Sequence, residues 1–191
     1  MYNKYKLFFV YSEYYQSSID WFATCQDREL SEEFIREFQD KVIWDSISEY
    51  QKLSEKFIKE FQNKVYWNSI FRYQELSEEF IREFQNKAKN YVNWINISSC
   101  QKLSEKFIRE FQDKINWYNI SYFQKLSGNF IREFKNKINY HILLNKYNYN
   151  LFSSPGENAF CIKSNNYCSD YLKFDEFVDL TARLVDLKAF Q

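Results

Sequence analysis

His141 is the only histidine of the chain, so a hydrolytic triad or an imidazole-based metal site would have to lean on it. It stands between Tyr140 and Ile142 in a stretch with helical spacing, where an ordinary surface role is the plainer reading. Cys161 and Cys168 have six residues between them and no second Cys or His pair nearby, which fits no zinc-ligand spacing. Cys25 and Cys100 lie alone, and all four cysteines read as reduced thiols, with a Cys161–Cys168 hairpin disulfide as the alternative. Gly128 and Gly156 are the only glycines, so there is no phosphate-cradling loop. Carboxylates recur at Glu37, Glu60, Glu83, Glu110 and Glu133, each preceded by a base: Arg36, Lys59, Arg82, Arg109, Arg132. Such a ladder either grips a partner or forms a solvated face in which the base of one unit meets the acid of the next. The second reading is preferred, with each exposed pair contributing at most about 1 kcal/mol. Trp21, Trp44, Trp67, Trp94 and Trp117 could stack nucleic-acid bases, but an aromatic at a fixed repeat position more simply fills the junction between units. No catalytic residue, metal ligand or cofactor site is assigned, and the chain reads as a non-enzyme.

What must position these residues is a repeat. LSEEFIREFQDKVIWDSISEYQK, Leu30 to Lys52, is followed at once by LSEKFIKEFQNKVYWNSIFRYQE. Units begin at Leu30, Leu53, Leu76, Leu103 and Leu126, and a worn copy begins at Leu7. Residues 7–148 therefore read as six units of about 23 residues, the first and last degenerate, with Ala88–Tyr91 inserted in the fourth. Each unit predicts two short helices. Ser31 caps the first, with Glu32 and Glu33 at its positive end and Phe34, Ile35 and Phe38 on the inner face. Asp20, Asn93, Asn116 and Asn139 cap the second; in the units with Ile43 and Tyr66 there, the cap is expected to slide to Asp45 and Asn68. The insertion is close to one helical turn and is expected to lengthen the first helix. Helices this short hold only against neighbours. The fold class is thus all-α, helix-turn-helix repeats stacked as an α-solenoid, and the scarcity of Gly and Pro agrees.

Residues 149–191 read as a linker around Pro155 and Gly156, a short hairpin in AFCIKSNNYC, and an amphipathic helix carrying Phe174, Phe177, Leu180, Leu184 and Leu187, expected to cap the array.

LSEEFIREFQDK followed by V-x-W-x-x-I-S-x-Y-Q, Leu30 to Gln51, resembles the short tandem repeats of proteins of mimivirus-like giant DNA viruses. The resemblance is strong over residues 30–134, weak over 7–29 and absent from the tail. It implies a viral protein and brings no catalytic residues. The abundance of Asn, Lys, Ile, Tyr and Phe agrees with an AT-rich genome.

Basic and acidic residues balance, 26 against 26, which counts against a nucleic-acid-binding array, the alternative function. No run of 18 apolar residues is present, and the N-terminal apolar run Leu7–Val10 is too short for a secretion signal, so a cytoplasmic location without a membrane span is expected. The first helix hardly changes between units, while positions in the second helix vary freely. Phe71, Arg72, Ile95, Tyr118 and Tyr122 are read as exposed members of that variable face. The expected function is a scaffold or adaptor that binds a protein partner through it.

Overall fold

A computed structural model describes residues 19–27, 29–87, 93–153, 159–164, 167–168 and 172–188. They fall into two compact units, Met1–Tyr91 and Val92–Gln191. In the first lie α1 (Trp21–Asp27), α2 (Glu32–Glu37), α3 (Trp44–Tyr50), α4 (Glu55–Glu60), α5 (Trp67–Tyr73) and α6 (Glu78–Lys87). In the second lie α7 (Trp94–Cys100), α8 (Glu105–Glu110), α9 (Trp117–Phe123), α10 (Gly128–Glu133), α11 (Tyr140–Lys146) and a final helix α12 (Phe174–Lys188). Even-numbered helices up to α10 are the first helix of a repeat and odd-numbered ones the second. Residues 7–18 and the inserted 88–91 lie outside the described residues. Helix α6 has 10 residues where α2, α4, α8 and α10 have 6, the added turn that an insertion of this length favours.

The serine caps form as the sequence implies: the Oγ atoms of Ser31, Ser54, Ser77, Ser104 and Ser127 each accept the backbone N–H three residues on, at 3.1–3.2 Å. The cap shift to Asp45 and Asn68 does not occur. Helices α3 and α5 start at Trp44 and Trp67 like their siblings, capped by Ile43 and Tyr66 with no side-chain bond. Packing fixes this start. Each tryptophan must reach the phenylalanine pair of the following repeat, as Trp44 does with Phe61 at 4.9 Å, Trp67 with Phe84 at 5.0 Å and Trp117 with Phe134 at 5.1 Å. The indoles of Trp44, Trp67 and Trp117 are half-buried and donate to the carbonyls of Gln39, Gln62 and Gln112.

Buried polar side chains join the repeats. Gln74 accepts the N–H of Leu53, the first residue of its own repeat, at 3.0 Å, and donates to the carbonyls of Ser48 and Gln51 of the repeat before, at 3.0 and 2.8 Å. Gln124 repeats this with Leu103 N–H and the carbonyls of Ser98 and Gln101. Gln51 bonds Leu30 N–H and the Cys25 carbonyl. In the last repeat Lys146 reaches the Gln124 carbonyl at 2.7 Å. A second row runs through Ser48, Ser98 and Ser121. Each hydroxyl donates one turn back to a tryptophan carbonyl and accepts the N–H that opens the next second helix, from Tyr66, Asn116 and Asn139, all at 2.9 Å. The thiol of Cys25 holds that place for Ile43 N–H, and burial pushes its pKa up.

On the first helices, Arg36 pairs with Glu60, Lys59 with Glu83 and Arg109 with Glu133, so the base of one repeat meets the acid of the next. Glu32, Glu55 and Glu105 accept the cap N–H of the following repeat, from Ser54, Ser77 and Ser127.

The tail corrects the all-α reading. The expected linker contains β1 (Asn150–Ser153), and the expected hairpin is β2 (Ala159–Ser164) with β3 (Tyr167–Cys168). Strand β2 is central in a small antiparallel sheet, pairing with β1 on one edge and with β3 and β4 (Leu172–Lys173) on the other. Asn148, at φ 62°, closes α11: Tyr149 N–H reaches the Leu144 carbonyl and Asn148 N–H that of Asn145. The sequence signal was weak because a four-residue strand carries little periodicity. Cys161 is buried in β2.

Helix α12 lies antiparallel along α10 and stands in for a further first helix. Phe177 packs edge-on against Tyr140 at 4.9 Å, as a repeat's phenylalanine packs on the preceding tryptophan. Asp179 takes Arg132 at 2.6 Å, and Lys135 meets Asp175 at 2.7 Å. Asp186 accepts Gly128 N–H at 2.7 Å. Gly128 occupies the place held by glutamate in the other LSE motifs. A Cβ there would overlap the Asp186 carboxylate and stand 2.9 Å from the Ala182 carbonyl oxygen.

Two outcomes follow from this packing. Gly128→Glu, which restores the repeat motif, destabilises the protein by about 1–3 kcal/mol through overpacking and raises hydrogen exchange selectively over residues 174–188; unchanged exchange there would show that α12 is not seated on α10. Gln124→Leu leaves one buried N–H and two carbonyls without their partner and costs about 3 kcal/mol in urea unfolding, whereas Arg109→Ala costs at most about 1 kcal/mol. Equal losses would contradict the ranking.

Candidate interaction surface

A second helix buries its isoleucine fully, as at Ile47, Ile70, Ile97 and Ile120. It points tryptophan and the serine-row residue to the same side, because these follow at three- and four-residue steps. The residue after the tryptophan and the one a further turn on therefore face out. Ile95, Tyr118 and Tyr122 are exposed as expected, at 56%, 54% and 46%. They come together: α7 and α9 lie side by side, with Asn119 Nδ2 donating to the Ile95 carbonyl at 3.1 Å. Tyr118 and Tyr122 are one turn apart on α9, and the Tyr122 ring meets Phe123 edge-on at 4.7 Å. Arg72 is exposed on α5 in the other compact unit, its guanidinium 5.1 Å from the Tyr73 ring.

Phe71 is not part of this surface. It is fully buried, 5.7 Å from the Trp67 ring, and occupies the serine-row position of its repeat. Ser46, Ser48, Ser69, Ser98 and Ser121 of the second helices are buried as well. Variation between repeats marked positions that differ, and this one differs because a ring replaces a hydroxyl inside the protein.

The surface is wider than the sequence reading. Of the eleven large apolar side chains exposed among the described residues, nine lie on the second helices or just ahead of them: Phe22, Ile43, Tyr50, Tyr66, Tyr73, Ile95, Tyr118, Tyr122 and Phe123. The other two, Phe152 and Leu187, belong to the tail, and the first helices contribute none. Tyr50, Tyr73 and Phe123 share one repeat position, a signal that alignment of the repeats carries.

The two compact units differ in the charge of this face. Among the described residues the face of the first holds Asp20, Asp27, Glu29, Asp45, Glu49 and Glu75 against Lys52 and Arg72. The face of the second, residues 93–146, holds Lys102, Lys125 and Lys146 and no acid. The charge of Glu49 raises the pKa of the Tyr50 hydroxyl. Burial, and then the charge of Lys125, lowers that of Lys146.

His141 is exposed on α11 with its Nδ1 3.1 Å from Asn145 Nδ2. Among the described residues no group of three or more His, Cys, Asp or Glu is placed to hold a metal ion, and no helix is long and apolar enough to cross a membrane. No protein-family model, curated protein or solved structure matches the chain.

Proposed function

We propose that this chain is a non-enzymatic scaffold or adaptor, an α-solenoid of viral origin acting in the cytoplasm, that binds a protein through its second-helix face. One observation carries the reading. Among the described residues of the repeats, exposed apolar rings are confined to that face, while the first helices present bases and acids already paired with one another, as in Arg36–Glu60 and Arg109–Glu133. Tyrosine supplies large contact area with only two side-chain torsions to freeze, and the Ser and Asn residues among the rings, such as Ser99, Asn96 and Asn119, add adaptable hydrogen bonding; protein-binding surfaces favour this mixture. The hydrogen bonds that join the repeats do not use the side chains of Ile95, Tyr118 or Tyr122, so these positions can be changed without altering the fold.

A photo-crosslinking residue at Tyr118 or Tyr122 yields specific protein adducts in cells, and the same residue at Lys106 on a first helix does not. Tyr118→Ala with Tyr122→Ala weakens capture at least about tenfold, on the order of 1.4 kcal/mol, with a melting temperature within about 2 °C of the unaltered chain. Equal labelling from both faces, or adducts made only of nucleic acid, would overturn the assignment.

A further inference from the structure

Resting on that reading, we propose that one partner is a second copy of this chain, the second-helix face of residues 20–75 of one copy pairing with that of residues 93–146 of another. Both faces carry exposed rings, Tyr50 and Tyr73 on one and, at the same repeat position, Phe123 on the other together with Tyr118, so each offers apolar surface to be covered. Their charges are opposite. Asp45 and Glu49 stand on the first face, while Lys102 and Lys125 on the second make no ion pair among the described residues. Pairing either face with itself would set like charges together, which opposes association. A foreign acidic partner would satisfy the lysine-bearing face and leave the acidic one to a second, basic partner. Copies of the chain supply both kinds of face, since each carries the complement of the other's acidic and lysine-bearing surfaces.

The test is sedimentation velocity on the full chain over a range of concentrations at low and high salt, with circular dichroism to show that each variant is folded. The unaltered chain associates, and salt weakens the association. Lys102→Glu with Lys125→Glu makes both faces acidic, and Asp45→Lys, Glu49→Lys and Glu75→Lys together make both basic. Each variant alone shows an affinity at least about tenfold lower. An equimolar mixture of the two regains association, because the acidic chain now faces the basic one. An unaltered chain that stays monomeric overturns the self-pairing, as does association indifferent to either reversal. If the monomeric chain still gives protein adducts from Tyr118, only the second copy is lost as partner; if it gives none, the interaction face itself fails.

Discussion

A buried glutamine amide has two donor hydrogens and an acceptor oxygen, and leaving any of them unmet inside a protein costs more than most surface contacts return. Gln74 and Gln124 meet that demand with three backbone groups each, one at the start of their own repeat and two in the repeat before. The serine row adds a second set of such bonds. Helices of six or seven residues cannot persist alone in water, so the repeats exist through these junctions and through the tryptophan–phenylalanine contacts beside them. Among the described residues no buried side-chain nitrogen or oxygen lacks a partner. The charged ladder on the first helices is more conspicuous in the sequence but weaker. Its members are partly solvated, as with Lys59 and Glu83 at 44% and 39% exposure, and such pairs contribute about 1 kcal/mol or less.

This division of labour bears on function. The stabilising groups point inward or along the junctions. The residue after each tryptophan, or after Tyr140 in the last repeat, contributes little to holding the repeat together, so Asp45, Asn68, Ile95, Tyr118 and His141 can differ widely in size and charge at one equivalent position. Variation at the last position of each repeat, Lys52, Glu75, Lys102 and Lys125, adds to an acidic face in one compact unit and a lysine-bearing face in the other.

Much of the fold was legible because repetition averages out local ambiguity. The serine caps, the phenylalanine stripes and the lengthened α6 follow from capping chemistry and the helical period. The departures have separate physical causes. Phe71 was read outward because its position varies, yet it follows Trp67 by four residues and Ile70 by one, which places it on the inner side. Spacing was the stronger indicator. The glutamines escaped notice since a terminal Tyr-Gln pair looks like a solvated helix end until the partner carbonyls are seen. Strand β1 escaped because its pairing with β2 is a contact between segments, with no signature inside four residues.

Gly128 gives the last repeat an identity that the inner ones lack. Helix α12 meets the repeats through α10 and through Tyr140 of α11, and it approaches α10 where every inner repeat carries a glutamate. A duplication that appended an inner repeat after residue 148 would present that glutamate to α12 and forfeit the cap. A duplication between inner repeats would leave both the closing glycine and its helix intact. The length of such an array can therefore change from within and not at its closed end, and its history of growth is to be sought in the nearly identical middle copies rather than in the worn terminal ones.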